Sequence, residues 1–170
     1  SFINEYYNNY IFYNVSRNET QITKLKQKFP NVTNFLNDIC DLDTLINIFE
    51  KVKPDIVIHA AALKHINLAE ENPAKAVEIN IVGSLNIIKA SIRAEVPLTI
   101  GISTDKACNP DSVYGYTKSC ANVLATNSSA RDHCNSTSSE PVFKSASTFE
   151  RGIKVLKSNI LGSTGPATAI

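Results

Sequence analysis

The stretch 101–118 contains the residues of this sequence whose types and spacing best suit chemistry. Tyr114 and Lys118 are four positions apart, so on a helix their side chains lie on one face and can address the same point. An ammonium group held beside a phenol favours the phenolate, which would make the tyrosine a usable base near neutral pH. By itself such a pair is weak evidence, because a Tyr and a Lys at this spacing are more often a surface pair.

A polar cluster before this pair makes the pattern more specific. Thr104, Asp105 and Lys106 follow the apolar stretch 98–103, which is predicted to be a buried strand. An adjacent carboxylate and ammonium suit one acid and one base if both reach a substrate, whereas the plain alternative is a surface ion pair on a loop. A polar cluster at a strand end, followed by the tyrosine–lysine pair, therefore predicts a catalytic segment.

Strands and helices are predicted to alternate along the chain, and they would position this segment. The predicted strands are 10–15, 32–36, 56–59, 98–103 and 152–161, and the predicted helices are 21–29, 42–52, 73–94 and 114–125. This alternation is typical of an α/β, Rossmann-like, doubly wound parallel sheet. The segment 126–147 is rich in Ser, Thr and Asn and is predicted to be a loop or poorly ordered.

Polar and small residues follow several predicted strands at their carboxyl ends. They are Ser16 and Arg17, Asp38, the run 60–65, and Thr104 to Lys106. Ligands of such sheets lie beyond the carboxyl ends of the strands, so this coincidence is the strongest physical argument for a nucleotide site. Ala60 and Ala61 would let a flat ligand lie close to the backbone, although tight packing explains small side chains equally well.

Length and composition exclude several other classes of protein. A chain of 170 residues with 43% hydrophobic residues can form one domain with a sizeable core. A net charge of +1 gives no reason to expect nucleic acid or a membrane surface as partner, and no apolar run reaches the roughly 20 residues that span a bilayer. The four cysteines form no Cys-x-x-Cys pair and have no histidine at metal-ligand spacing. We therefore expect reduced thiols, no metal and a cytoplasmic protein.

Two motifs resemble those of a known family. One is the run 56–65, Ile-Val-Ile-His-Ala-Ala-Ala-Leu-Lys-His, and the other comprises 103–107, Asn109-Pro110 and Tyr114-Gly115. Both are similar to motifs of the extended short-chain dehydrogenase/reductases, and within them of the inverting UDP-N-acetylglucosamine 4,6-dehydratases of polysaccharide biosynthesis. The resemblance is close from about residue 10 to residue 124 and resumes weakly from residue 153. It implies a UDP-sugar substrate and NADP; family members are commonly oligomeric, so a homo-oligomer is one expectation.

The resemblance also implies four catalytic residues. Tyr114, assisted by Lys118, would take the proton of the sugar 4-hydroxyl while a hydride passes from carbon 4 to NADP⁺. The resulting ketone acidifies the hydrogen at carbon 5, which Lys106 would remove while Asp105 protonates the departing 6-hydroxyl. Return of the hydride to carbon 6 completes a dehydration without net redox change.

Binding residues follow from the same resemblance. Those for the cofactor are Ser16, Arg17, Asp38, Ile39, Ala60, Ala61, Lys64, Tyr114 and Lys118. Those for the sugar nucleotide are Lys64, His65, Thr104 and Asn159. A hydroxyl and a guanidinium group at Ser16 and Arg17 suit an adenosine 2′-phosphate, which favours NADP over NAD.

Departures from the family pattern leave alternatives open. The family begins with a strand and a glycine-rich turn that holds the pyrophosphate at a helix N-terminus, and no such turn is present among the six glycines here. We therefore expect a partial NADP-binding, Rossmann-like domain over residues 1–170, incomplete at both ends. A UDP-sugar 4-epimerase and a non-catalytic nucleotide-binding remnant are the alternatives. The Asp105–Lys106 pair favours the dehydratase, because an epimerase needs no base at carbon 5.

Overall fold

The computed structural model describes residues 10–131, 142–146 and 167–169, and these residues form a parallel sheet of six strands. The strands are β1 (Tyr10–Ser16), β2 (Thr33–Leu36), β3 (Ile56–His59), β4 (Leu98–Ile102), β5 (Val142–Ala146) and β6 (Ala167–Ala169). Their order across the sheet is β2-β1-β6-β3-β4-β5, and every neighbouring pair is parallel. The predicted α/β, Rossmann-like class is confirmed.

Helices connect the first four strands, and another helix follows β4. They are α1 (Glu19–Lys28), α2 (Leu42–Val52), α3 (Ile66–Glu71), α4 (Pro73–Val77), α5 (Gly83–Arg93) and α6 (Val113–Arg131). A π-helical turn, Glu78–Val82, joins α4 to α5, so the helix predicted at 73–94 is continuous but contains a wider turn. The short helix α3 was not predicted. Asn72 caps its C-terminus, and Pro73 then opens α4 at the position where its missing N–H is not needed.

Side-chain caps and apolar spacing explain where the first helices begin. Asn18 Oδ1 accepts a hydrogen bond from Gln21 N at 3.0 Å before α1, and Asp41 Oδ1 accepts one from Thr44 N at 3.1 Å before α2. Helix α2 has the predicted bounds, and its side chains at i, i+3 and i+4 (Leu45, Ile48, Phe49) are buried.

The core lies on both faces of the sheet. Phe12 of β1 packs with Phe29 and Val32 near α1, whereas Val15, three residues further along β1, packs against the cluster that includes Phe49 of α2. Successive strand residues point to opposite faces, so residues three apart lie on different sides. Helices therefore cover both faces, as a doubly wound sheet requires.

The prediction of a loop across 126–147 is wrong in two places. Helix α6 continues through Arg131, and β5 spans Val142–Ala146. The composition of 126–147 as a whole hides this strand, which backbone pairing fixes: β5 (Val-Phe-Lys-Ser-Ala) is in register with β4 from Leu98↔Val142 to Ile102↔Ala146. The strand predicted at 152–161 lies outside the described residues, and β6 was not predicted.

No helix in the described part of the chain is both long enough and apolar enough to cross a bilayer.

Candidate active site

The predicted catalytic segment follows the carboxyl end of β4. The strand ends at Ile102, and a 3₁₀ turn, Asp105–Ala107, precedes α6. Thr104 caps this turn: its hydroxyl oxygen accepts a hydrogen bond from Lys106 N at 3.4 Å and donates to Asp105 Oδ1 at 3.0 Å. The polar cluster therefore lies at the strand edge where the sequence predicts a ligand.

Asp105 and Lys106 form an exposed ion pair. Lys106 Nζ lies 3.5 Å from Asp105 Oδ2, and the two side chains are 50% and 82% exposed, respectively. The hydrogen bond from Thr104 and then the charge of Lys106 hold the pKa of Asp105 below its ordinary value, so this carboxyl group is ionised at neutral pH. This geometry is that of a surface ion pair, which is the non-catalytic interpretation of these two residues. Asp105 could donate a proton only if its carboxylate were first protonated.

Tyr114 and Lys118 lie one turn apart at the start of α6. Tyr114 is half-buried, whereas Lys118 is 5% exposed and its Nζ donates to the carbonyl oxygen of Ile102 at 2.8 Å. Burial lowers the pKa of Lys118 from its ordinary value. The ammonium group is thereby held at the last residue of β4, one helical turn after the residue that carries the phenol.

The start of α6 is held by contacts from two other segments. Glu70 of α3 accepts a hydrogen bond from Val113 N at 2.7 Å, and Ser112 Oγ accepts one from Gly115 N at 3.2 Å. A Cβ atom at Gly115 would lie 2.6 Å from the carbonyl oxygen of Lys106. Glycine at this position therefore allows the 3₁₀ turn to pack directly against the first turn of α6.

Asn80, in the π-helical turn, joins the loop after β3 to α6. Its Oδ1 accepts from Leu63 N at 2.8 Å, and its Nδ2 donates to Leu63 O at 3.2 Å and to Thr117 Oγ1 at 3.0 Å. The Thr117 hydroxyl in turn donates to Tyr114 O at 3.0 Å. Asn80 is 0% exposed, so these bonds provide the reason for a polar residue inside this helix.

His59, the last residue of β3, forms a second buried polar contact with the same helical stretch. Ser84 Oγ donates to Asn80 O at 2.6 Å, and His59 Nε2 lies 2.9 Å from Ser84 Oγ, so the histidine must be the donor in that contact. Burial, and then the charge of Lys118, lower the pKa of His59 to about 4. His59 is therefore neutral at neutral pH and carries its proton on Nε2.

The predicted cofactor residues at the ends of β1 and β2 also lie together. Arg17 Nη1 donates to Asp38 Oδ2 at 3.3 Å, Asp38 Oδ1 accepts from Cys40 N at 3.0 Å, and Ser16 Oγ accepts from Asn18 N at 3.2 Å. Burial acts to raise the pKa of Asp38, but the hydrogen bonds from Cys40 and Arg17 outweigh it and leave the pKa below its ordinary value. The Arg17 side chain is still 52% exposed and can bind an anion.

A cavity of about 290 Å³ separates the upper parts of β1 and β3. Four of the predicted cofactor residues line it: Ser16, Ile39, Ala60 and Ala61. Exposed alanines beside Ser16 leave room for a flat group at the carboxyl edge of the sheet. The nucleotide site predicted from the strand ends therefore has a corresponding space in the structure.

The other predicted binding residues are more scattered. Lys64 and His65 are exposed on the loop between β3 and α3, and Thr104 is half-buried beside the catalytic turn. Asn159 lies outside the described residues. Sequence reasoning missed Ser84, Glu70 and Asn86, whose Nδ2 donates to Ile39 O at 3.0 Å and to Cys40 O at 3.1 Å. The available signal was the four-residue spacing of Asn80 and Ser84, which places two polar side chains on one face of the predicted helix.

The parallel sheet, the strand-end polar cluster and the Tyr-x-x-x-Lys helix define an extended short-chain dehydrogenase/reductase. Residues 4–166 match the family described as "Polysaccharide biosynthesis protein". The chain belongs to that family.

Known relatives agree with this assignment. The chain is 43% identical over 109 residues to an uncharacterized membrane protein of Methanocaldococcus jannaschii, a match that covers 63% of this chain and 32% of the relative. It is 40% identical over 111 residues to the inverting UDP-N-acetylglucosamine 4,6-dehydratase of Campylobacter jejuni, covering 64% and 33%. The chain thus matches about a third of the length of these relatives.

Two solved structures share the fold. The structure of Pen from Bacillus thuringiensis has a TM-score of 0.72 and 34% identity, and the match covers 79% of this chain and 40% of that one. The UDP-Glc/GlcNAc 4-epimerase of Campylobacter jejuni has a TM-score of 0.68 and 20% identity, covering 81% and 44%. The second likeness concerns the fold alone.

Proposed function

We propose that this chain carries the NADP-binding and catalytic residues of a C5-inverting dehydratase that acts on UDP-N-acetylglucosamine or a related UDP-N-acetyl-hexosamine. The observation that carries the proposal is the Asp105–Lys106 pair, which the close packing of Gly115 against Lys106 O holds beside the Tyr114 helix. An acid and a base next to a Tyr–Lys pair supply both proton transfers that elimination from a sugar requires. Similarity to the Campylobacter jejuni dehydratase supports the same reaction.

The tyrosine helix serves the first proton transfer. Tyr114 accepts the proton of the sugar 4-hydroxyl, and the buried ammonium of Lys118, hydrogen-bonded to Ile102 O, provides a fixed positive charge on the same helix. NADP⁺, when bound, supplies the hydride acceptor and later the hydride donor. The ketone at carbon 4 then makes the hydrogen at carbon 5 acidic.

Elimination requires protonation states of Asp105 and Lys106 that differ from those in the ion pair. Lys106 must be neutral to remove the proton from carbon 5, and Asp105 must be protonated to assist departure of the 6-hydroxyl. Transfer of one proton within the pair produces both forms at once, and exclusion of water by a bound sugar favours this neutral pair over the ion pair. The elimination itself then regenerates the charged pair.

Arg17 supports NADP as the cofactor. Its guanidinium group lies at the carboxyl end of β1 and remains half-exposed although it contacts Asp38 at 3.3 Å. A 2′-phosphate would gain a charge-assisted hydrogen bond from it. Arg17→Leu is expected to weaken NADPH binding by about tenfold or more and to leave NADH binding nearly unchanged, measured by fluorescence titration. Equal losses for both nucleotides would contradict the phosphate contact.

Incubation of the protein with UDP-N-acetylglucosamine and NADP⁺ in D₂O tests the reaction. We expect a product that has lost one water, carries a ketone at carbon 4 and contains deuterium at carbon 5, detected by mass spectrometry and NMR. Formation of only the C4 epimer, with no dehydrated product, would contradict the dehydratase proposal.

A UDP-sugar 4-epimerase is the second candidate. The observation in its favour is that Asp105 and Lys106 are exposed and paired with each other, so that Tyr114 and Lys118 alone could carry the chemistry. Lys106→Gln distinguishes the two candidates, because it would abolish dehydration but leave epimerisation intact. NADPH binding without either product would instead indicate a nucleotide-binding protein that is not catalytic.

A further inference from the structure

The first turn of α6 has backbone N–H groups that no carbonyl group of its own helix can accept. Two of them donate to side chains: Gly115 N to Ser112 Oγ at 3.2 Å, and Val113 N to Glu70 Oε1 at 2.7 Å. Ser112 directly precedes the helix and is an ordinary cap, whereas Glu70 is 43 residues away from Val113 in sequence. The helix dipole also favours a carboxylate at this end. The bond from Glu70 is therefore a tertiary contact at the residue that directly precedes Tyr114.

Helix α3, which carries Glu70, has few other means of attachment. It spans six residues, Ala69 is its one buried residue, and Ile66 and Leu68 are 41% and 47% exposed. A helix this short gains little stability from its own hydrogen bonds. Its contacts with α6 and with the neighbouring α4 therefore fix where it lies, and the Glu70 carboxylate supplies a hydrogen bond to α6.

The same helix continues directly from the loop that carries predicted sugar-binding residues. Lys64 and His65 are the last residues of this loop, and the carbonyl oxygen of His65 accepts a hydrogen bond from Ala69 N at 3.0 Å. Glu70 is the next residue along α3. About one turn of helix thus separates the loop from the carboxylate that contacts α6.

We propose that Glu70 is a positioning residue: it sets the first turn of α6, and with it Tyr114, relative to the loop 60–65. It acts through the Val113 amide and transfers no proton itself. The inference rests on the proposed function in so far as Tyr114 is the group that takes the proton of the sugar 4-hydroxyl. It adds to that function the contact that aligns the phenol with the sugar-binding loop.

The ring signal of Tyr114 tests the positioning without any turnover. In full-length chain labelled with ¹³C-tyrosine, the NMR signal that Tyr114→Phe removes belongs to Tyr114. We expect Glu70→Ala to shift this signal and to make amide exchange at Val113 about tenfold faster, because a charge-assisted hydrogen bond is lost. Glu70→Gln keeps an oxygen acceptor and should restore most of both values. Glu71→Ala, at the adjacent exposed position, is the matched control and should change neither.

Kinetics supply a second measurement. In the D₂O assay with UDP-N-acetylglucosamine and NADP⁺, Glu70→Ala is expected to lower kcat about tenfold and to leave KM within about threefold of wild type. A misplaced phenol slows the proton transfer more than it weakens binding of the sugar nucleotide. Glu70→Gln should again restore most of the rate.

Removal of the donor gives an independent variant. Val113→Pro lacks the N–H, and proline is well tolerated at the first position of a helix. It should reproduce the Tyr114 signal of Glu70→Ala, and adding Glu70→Ala to it should have little further effect. This variant also decides the question should Glu70→Ala fail to fold.

Two results would overturn the positioning role. One is a Tyr114 signal that is the same in wild type, Glu70→Ala and Val113→Pro. The other is a shifted signal with an unchanged kcat, which would make the contact merely structural. If wild type itself forms no product, the proposed function fails, and the Tyr114 signal with its restoration by Glu70→Gln still decides whether Glu70 positions the phenol.

Discussion

The buried side of the predicted catalytic segment and its exposed side hold their polar groups in different ways. On the buried side, Asn80, Thr117 and Lys118 are at most 5% exposed, and each makes at least one hydrogen bond of 3.0 Å or shorter. On the exposed side, Asp105 and Lys106 meet at 3.5 Å in contact with solvent. A broken buried hydrogen bond leaves an unsatisfied group, whereas an exposed ion pair contributes little. The position of the tyrosine helix is thus fixed by the fold, and that of the Asp105–Lys106 pair can change with its surroundings.

Removal of the Asn80 amide should have the largest effect on stability. Asn80→Ala leaves the N–H and C=O of Leu63 and the hydroxyl of Thr117 without this partner, and we expect a loss of about 3 kcal/mol in the free energy of unfolding, measured with urea. The matched control is Asn109→Ala at an exposed position, which should change the value by less than about 0.5 kcal/mol. Equal effects at the two sites would contradict the difference between the two sides.

Low pH should destabilise the folded protein through the buried side chain of His59. Because the folded pKa of about 4 lies below the ordinary 6.5, the unfolded chain binds the proton first, and stability is lost as pH falls from 6.5 towards 4. Between pH 6.5 and pH 5 this loss is about 2 kcal/mol. Urea unfolding of wild type and His59→Gln at both pH values checks it. The variant should lack this part of the pH dependence; an unchanged dependence would assign the effect to other groups.

Contact between the two sides can be tested at Gly115. Gly115→Ala places a methyl group 2.6 Å from the backbone carbonyl of Lys106, and we expect a loss of about 1 to 2 kcal/mol in thermal or urea unfolding. Gly83→Ala is the comparison: its Cβ would meet Ile39 Cδ1 at 2.5 Å and Cγ1 at 2.7 Å, a side chain rather than a backbone carbonyl, and alanine favours the helix, so we expect a smaller loss. Unchanged stability in Gly115→Ala would show that the turn is not packed tightly against α6.

Changes on the exposed side should affect stability least and chemistry most. Lys106→Gln is expected to leave the urea midpoint nearly unchanged, because the ion pair is exposed. On the proposed mechanism it lowers the rate of deuterium incorporation at carbon 5 by about 100-fold or more. Thr126→Ala, also exposed, serves as a control for both measurements. A clear loss of stability in Lys106→Gln would mean that the pair has a structural role.

Local sequence patterns predicted much of the sheet. Strand β3 (Ile56–His59) and helix α2 (Leu42–Val52) both have the predicted bounds. A strand buried on both faces needs a continuous apolar run, and a helix buried on one face needs apolar residues at helical spacing, so both are visible in the local sequence. The strand-end rule likewise predicted that the ends of β1 and β2 lie together, where Arg17 contacts Asp38 and Asn37 N donates to Ser16 O.

Features that depend on distant partners could not be predicted. The π-helical turn Glu78–Val82 contains Asn80, whose partners are 17 and 37 residues away in sequence. The short strand β6 pairs with residues near the other end of the chain. Neither feature has a local period, so composition and spacing carry no signal for it.

The π-helical turn also has a geometric consequence for the helix that contains it. A π turn holds one residue more than an α turn, so it acts as a phase shift of about 100° between the side chains before and after it. Deleting one residue within Glu78–Val82 would restore regular α-helical hydrogen bonding, but it would rotate α4 relative to α5 by that angle. Ala76 and Ile87, both buried now, could not then face the core together. The irregular turn therefore allows the buried residues of α4 and those of α5 to face the core together.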